Sequence, residues 1–465
     1  MFKGIYALGL ALWLAGGASA PVSGRDTIGI HPINFYQLSQ GEEVFYPLAV
    51  NAFGLMDLTL PAQDLEPLFS RWADHHINTI RINVDHAGPT GKPLTSYLSR
   101  DGRLSEAALS RLDAIFTLSE KHGMYVILGL FDTQRMAEDW DVSPYNQARG
   151  GECNTLADWF TKPSLLQQAL RRVEQLVKRY KPRQVLAWEI ARGANVDDLN
   201  LRPNAELRNG IAYWVVRIAG ALRDHDDHGH LTALSFVPNS YPTTLLNLPQ
   251  VHVNFLQVQS QDVLRAAQSI PHYLQSIRDF KKPVFVAEPV WTGDRGGRET
   301  FMKYLFWASF ASGSGMFLSP LKMNGLEPIG GADLHLADLL AAYRTEIRLE
   351  GVPRPIVAPL ELTPKDSFLT AESLAGYDRV YWIMRKTPAK AKAQVLMRTV
   401  EGMYQFQWFD LEEEKKYPPR PFRQFRKELR METPEFERDI LGVLRYLGPL
   451  PSPPSQPGET AAPGK

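Results

Sequence analysis

Along the chain, short apolar runs alternate with longer stretches in which apolar residues return every three or four positions. After a linker at 21–27, Val44–Asn51 (VFYPLAVN) predicts the first buried strand. Gln63–His76 follows, with Leu65, Leu68, Phe69 and Trp72 at helical spacing, and then the strand Asn78–Val84. Ser105–His122 predicts a helix with Ser105 as N-cap, Leu109, Leu112 and Phe116 as its apolar stripe, and Gly123 as its stop. Met124–Leu130 (MYVILGL) is nearly continuous in apolar residues, as a strand covered on both faces should be. Ser164–Tyr180 predicts a helix opened by a capping box of Ser164 and Gln167. Five further strands are expected, at Val185–Ile190, Leu231–Val237, Val253–Gln259, Pro283–Glu288 and Gly315–Ser319. Helices at Ala205–Leu222, Asp262–Phe280 (kinked at Pro271), Glu299–Ser312 and Ala332–Ile347 interleave with the later ones. Eight such units specify an α/β chain forming a (β/α)8 TIM barrel over residues 28–352.

Beyond Pro353 the period changes from helix-like to two. Ser367–Trp382 and Gln394–Asp410 alternate in strand fashion, with a turn at Glu401-Gly402, so residues 353–447 predict a small C-terminal β-sandwich. The basic stretch Arg420–Arg430 reads as a solvated loop or edge, and the Pro-rich tail from Gly448 as disordered. At the other end, Lys3, the apolar run Ile5–Leu14 and Ala18-Ser19-Ala20 predict a signal peptide over residues 1–20. The expected location is secreted or periplasmic, with no membrane span once the signal is removed. An uncleaved N-terminal anchor is the alternative.

Composition narrows the chemistry. Formal net charge is zero, which gives no overall electrostatic case for nucleic acid or an acidic membrane as partner. A single cysteine, Cys153, precludes an internal disulfide, so the fold rests on its core. Asp224–His230 (DHDDHGH) looks metal-binding but falls between a helix and a strand and reads as a solvated turn; His75-His76 has no partner ligands at a recognised spacing. No phosphate loop, nucleophilic Ser elbow or dinucleotide fingerprint is present. No metal and no cofactor are expected.

The segment Val185–Asn195 (VLAWEIARGAN) is an apolar strand ending in polar residues, the usual place for a site in such a barrel. Together with Asp158–Glu189 it resembles glycoside hydrolase family five, especially its mannanase-like members. Lys282–Glu288 (KPVFVAE) resembles the family's seventh-strand pattern ending in the nucleophilic Glu, which places Glu288 in that role. Arg81 matches the Arg that holds the nucleophile ionised. The loop DWDVSPYNQARGG resembles the family's N-P-Y-N…G-G loop and brings Trp140, Tyr145 and Asn146 forward as sugar contacts, alongside Asp132 and Trp291. Gly402–Asp410 resembles a run that recurs in the trailing sandwich.

The departures are as informative. The family's fourth strand runs W-E-x-x-N-E, its last Glu being the acid/base. In this chain Trp188 and Glu189 are kept, but the Asn is Arg192 and the acid/base Glu is Gly193. The sixth strand reads QVQSQ where a His is usual, and the eighth reads GMFLSP without the usual Trp. Glu189, Asp197, Asp198 and Glu152 are the carboxylates that could replace the missing acid. The resemblance implies a protein engaging a β-linked polysaccharide or oligosaccharide of mannan or glucan type, retaining through Glu288 if active but impaired. A non-catalytic carbohydrate-binding protein of envelope or exopolysaccharide assembly, and a scaffold for protein partners, stay open as alternatives.

Overall fold

The computed structural model describes residues 27–85, 97–99, 101–193, 205–236, 243–294, 296–319, 329–346, 354–355, 360–364, 367–375 and 377–451. The signal segment, Asp197, Asp198 and the tail beyond Pro451 lie outside the described residues.

Three short antiparallel strands come first: β1 (Ile28–Ile30), β2 (Leu38–Gln40) and β3 (Glu43–Phe45). Eight parallel strands follow in sequential order: β4 (Ala49–Asn51), β5 (Thr79–Asn83), β6 (Tyr125–Gly129), β7 (Val185–Arg192), β8 (Leu231–Phe236), β9 (Val253–Ser260), β10 (Val284–Trp291) and β11 (Gly315–Met316). A parallel bridge between Val50 and Leu318 closes the barrel, with the Asn51 amide donating to the Leu318 carbonyl at 2.8 Å.

The helices outside it are α1 (Leu65–Asp74), α2 (Glu106–Lys121), α3 (Thr133–Glu138), α4 (Leu156–Thr161), α5 (Pro163–Tyr180), α6 (Ala205–His225), α7 (Thr243–Leu246), α8 (Val263–Ile277), α9 (Gly297–Ala311) and α10 (Gly331–Glu346). Ser105 caps α2 as expected, accepting from the Ala108 amide.

Four expectations need correction. The run Val44–Asn51 is two strands rather than one, because the chain leaves β3 at Tyr46-Pro47-Leu48 before entering the barrel at β4. Residues 28–43, for which the sequence pattern predicted no element, join Val44 and Phe45 in a sheet whose Ile28 and Leu38 share an apolar cluster with Ala49, Ile127, Leu186 and Phe285. The capping box belongs to Thr155 and Asp158 at the start of α4, whereas Ser164 lies inside α5 and donates to Glu152 at 2.6 Å. The DHDDHGH segment is only partly a solvated turn. Asp226 and His230 are buried, and Asp226 accepts from the Trp188 indole at 2.8 Å, clipping the turn to the outer face of β7.

The C-terminal part consists of β12 (Arg354–Pro355), β13 (Glu361–Thr363), β14 (Phe368–Ala375), β15 (Asp378–Arg385), β16 (Gln394–Arg398), β17 (Gly402–Asp410), β18 (Lys415–Lys416), β19 (Arg420–Gln424), β20 (Glu428–Glu432) and β21 (Asp439–Gly448). A seven-stranded sheet packs its inner face (Tyr381, Ile383, Phe406, Trp408, Ile440) on the three-stranded sheet β13-β16-β20. Its central strand β21 runs to Gly448, into the segment read as tail.

The outer face of that large sheet lies on the barrel. Trp382, Val380, Phe409, Leu441 and Val443 belong to the same apolar cluster as Leu305, Trp307 and Tyr343 of α9 and α10. Trp382 meets Tyr304 at 5.9 Å between ring centroids, and Tyr343 meets Phe409 at 5.1 Å. Lys303 bridges Glu412 (2.7 Å) and Asp439 (3.2 Å) across the seam. One continuous core demands one cooperative unit. The full chain is therefore expected to unfold in a single calorimetric transition, with Phe409→Ala costing about 3–5 kcal/mol. Two separated transitions, with Phe409→Ala moving only one, would contradict a shared core.

Candidate functional site

Parity along the strands decides which side chains enter the barrel. On β5 the alternation is regular: Ile80 and Ile82 face the helices, so Arg81 points inward. On β7, Ala187 faces in and Trp188 out, so Glu189 faces in. A bulge between Glu189 and Ala191 then resets the parity. Ile190 and Ala191 both join the outer core, and Arg192 turns inward. A second register shift, between Val286 and Glu288 on β10, lets both Ala287 and Glu288 face the interior. Two bulges thus aim the charged residues at one point near the strands' C-terminal ends.

There they form a chain of ion pairs. Arg81 grips Glu189 with two donors, Nε to Oε2 at 2.7 Å and Nη2 to Oε1 at 2.5 Å. Its third nitrogen, Nη1, donates to Glu288 Oε1 at 2.8 Å and to Asn51 Oδ1 at 3.1 Å. Arg192 donates through Nε to both Glu288 oxygens, at 2.8 and 2.9 Å, and through Nη1 to Asp132 Oδ1 at 3.0 Å. Ser235 joins by donating to Glu189 and accepting from Arg81. The Phe53 ring lies beside both guanidinium groups, at 5.1 Å from Arg81 and 5.6 Å from Arg192.

Glu288 is 1% exposed and Arg192 6%. Burial alone would raise the Glu288 carboxyl, but Arg192 and Arg81 outweigh it and hold the group below the usual carboxylate range. Arg192 is desolvated too, yet Asp132 and Glu288 keep its proton bound well above the ordinary arginine value.

Gly193 ends the strand in a left-handed conformation, with φ +76°. A Cβ there would lie 2.9 Å from Cβ of Gln134, and the Thr133 hydroxyl donates to the carbonyls of Arg192 and Gly193. A larger side chain at this position would be strained in its backbone and would have to displace Gln134.

The other residues singled out in the sequence divide into two groups. Asp132 joins the network and also caps α3, accepting from the Arg135 amide at 3.0 Å. Tyr145, expected as a sugar contact, is instead buried, its ring 4.3 Å from Trp159 and its hydroxyl accepting from Arg172 at 2.6 Å. Asn146 is spent on local structure, accepting from the Ala148 amide and donating to the Trp140 carbonyl. Trp140 is half-buried against the core. Trp291 folds back over its own loop: it packs on Phe301, donates to the Asp294 carbonyl, and covers Gly293 and Gly297, where any Cβ would strike its ring. Glu152 is held by Ser164 and Gln168 on α5.

Sequence reading missed Asn51, Phe53 and Ser235. Only the position of Asn51 at the end of an apolar run gave any signal. It also missed the buried pair of Asp85 and Arg172 (2.8 Å), which ties the end of β5 to α5.

A model of the cellulase family (glycosyl hydrolase family 5) matches residues 42–288, just over half of the chain. No curated protein sequence matches. Among solved structures, a glycoside hydrolase superposes with TM-score 0.65 at 12% identity, over 91% of this chain and 97% of the other. A glycoside hydrolase family 5 structure from Bacteroides vulgatus ATCC 8482 gives 0.60 at 11% identity, over 90% and 93%. The endo-1,4-beta-mannanase from Rhizomucor miehei gives 0.52 at 15% identity, over 68% and 99%. At such identities these structures speak for the fold.

The network makes a double-variant prediction. Arg192→Met strands two buried carboxylates and should cost about 3–5 kcal/mol by denaturant unfolding at neutral pH. Adding Glu288→Gln removes one stranded charge and should recover part of that loss. The Glu288 carboxyl is depressed in the folded state, so its contribution is present above its unfolded value and disappears as pH falls through the folded one. The penalty of Arg192→Met should accordingly shrink at acid pH; a penalty independent of pH and additive with Glu288→Gln would contradict the pairing.

Proposed function

The chain belongs to glycosyl hydrolase family 5, and we propose that it is an exported member whose barrel engages a neutral β-linked glycan without hydrolysing it. Retaining hydrolysis needs a carboxylate free to attack the anomeric carbon and a second group to protonate the departing oxygen. One observation carries the reading: Arg192 Nε donates to both oxygens of Glu288. A carboxylate so held is stabilised as an anion, is a weak nucleophile, and is covered by the side chain that binds it.

The missing acid deepens the defect. Glycine at position 193 has no proton to give, and loss of a general acid costs about 10²–10⁴ in rate. Among the described carboxylates, Glu189 is committed to Arg81, Asp132 to Arg192, and Glu152 to α5. The buried network is thus satisfied within the barrel, while Glu138 on α3, close to Arg192 and Asp132, accepts from the Gln134 amide at 3.2 Å and is raised above the usual carboxylate range chiefly by burial. Carbohydrate engagement is supported by the family and by the half-buried Trp140 and Trp291 near the strands' C-terminal ends. A glucan-type ligand is suggested by the cellulase family model, and a mannan-type one by the resemblance of Asp158–Glu189 to the family's mannanase-like members. Export rests on the N-terminal sequence, with Lys3, the apolar run and Ala18-Ser19-Ala20.

The test is reducing-end release from galactomannan, linear mannan and mixed-linkage β-glucan, run beside retardation in native gels containing each polymer. Wild type is expected to be retarded by at least one polymer while releasing nothing above buffer. Gly193→Glu should not create activity, because its backbone is left-handed and its Cβ meets Gln134. Release by wild type that disappears in Glu288→Gln would overturn the proposal.

A further inference from the structure

The chain has no net charge, but its charges are not evenly spread. Residues 415–430 hold seven lysines and arginines and a single glutamate. Just before them, Glu412, Glu413 and Glu414 are drawn aside: Glu412 binds Lys303 at 2.7 Å, Glu414 binds His335 at 2.6 Å, and Glu413 lies 3.8 Å from Lys390. The acids are thus engaged by other side chains, two of them across the barrel seam, while Arg420, Arg423, Arg426 and Lys427 project exposed with no ion pair to a described carboxylate.

The backbone carrying them is well held. Strand β19 pairs with β17 on one side and has no partner strand on the other among the described residues. Phe422 stacks on Tyr404 at 5.8 Å, anchoring the strand to the sandwich core. Gln424 is buried, and its amide donates to the carbonyls of Arg426 (2.6 Å) and Glu428 (2.8 Å), while the Thr399 amide donates to that of Lys427 (2.9 Å). These bonds fix the turn after β19 and hold Phe425 outward, 64% exposed, between Arg423 and Arg426.

We propose that this edge is a second binding surface, separate from the barrel, that takes an acidic polysaccharide. Arg423, Arg426 and Lys427 would pair with its carboxylates, and Phe425 would stack on a sugar ring. Arginine offers paired donors that match a carboxylate in the plane, and an aromatic face suits the apolar side of a pyranose. Arg423 and Phe425 alternate with the inward Phe422 and Gln424 and are two residues apart, so charge and ring fall on one side about 7 Å apart. A lipid surface fits less well, since peripheral membrane binding relies on an apolar face and this turn offers one ring. The proposal does not depend on what the barrel mouth binds.

The experiment uses the mature chain in native gels containing polygalacturonate, galactomannan or no polymer, with co-sedimentation on phosphatidylglycerol vesicles in parallel. Polygalacturonate should retard wild type, and salt should weaken the retardation. Arg423→Ser/Arg426→Ser/Lys427→Ser should weaken it by about tenfold or more, Phe425→Ala less, and the matching triple Lys/Lys/Arg exchange, which keeps the charge but gives up the paired donors at two positions, should retain only part of it. Galactomannan retardation, which reports on the barrel, should be unchanged in all of them, so the two proposals fail separately. Wild type unretarded by polygalacturonate would overturn the inference, as would a triple serine variant retarded like wild type. Patch-dependent sedimentation on vesicles without polygalacturonate binding would assign the surface to membranes instead. A triple serine variant that aggregates while keeping its retardation would reduce the charges to protection of an open strand edge.

Discussion

The site depends on a single guanidinium. Arg192 lies between Asp132 and Glu288 and satisfies both, and through Glu288 it is joined to Arg81 and Glu189. A buried ion pair of this kind is expensive to desolvate and expensive to break, so its members are interdependent. Without Arg192, Glu288 would keep the Arg81 Nη1 contact and Asp132 the Arg135 amide, each having lost its ion pair to the guanidinium. With it, the groups that could do chemistry are engaged with one another. The arrangement makes this end of the barrel interior a packed, internally paired network, which is what the proposed loss of hydrolysis rests on.

That arrangement is imposed by backbone geometry as much as by residue identity. The bulge on β7 brings Arg192 to the interior, and the register shift on β10 does the same for Glu288. Gly193 follows in a left-handed conformation, its carbonyl accepting from the Thr133 hydroxyl. A side chain placed at position 193 would be strained and would have to displace Gln134, so a single exchange there works against the local backbone. The sandwich adds rigidity from the other side: its large sheet shares a core with α9 and α10, the helices that flank the ends of β10 and β11.

Much of this was legible in the sequence, and the reasons for the rest are physical. The eight barrel strands were readable because buried parallel strands are written as continuous apolar runs, as in MYVILGL and PVFVAE. Arg81, Glu288, Arg192 and Asp132 stood out because each ends or follows such a run. The pairing of Arg81 with Glu288 was readable through the family resemblance, but the insertion of Arg192 between Glu288 and Asp132 was not, since it turns on two bulges that leave no mark in the residue pattern. Tyr145 and Asn146 were read as ligand contacts from a loop resemblance, but a ring and an amide in a loop serve packing and capping equally well. Strand β21 was overlooked because burial on both faces removes its alternation and a Pro-rich tail follows it directly.

The most direct measurement is the intact mass of the protein after incubation with an activated fluoro-mannoside and fluoro-glucoside, each with a dinitrophenolate leaving group. Such a leaving group departs without a general acid, so the experiment isolates the nucleophile from the loss at Gly193. With Glu288 held by Arg192 and Arg81, the mass should remain that of the unmodified chain after prolonged exposure. A stoichiometric glycosyl adduct mapped to Glu288 would show a working nucleophile and contradict the account.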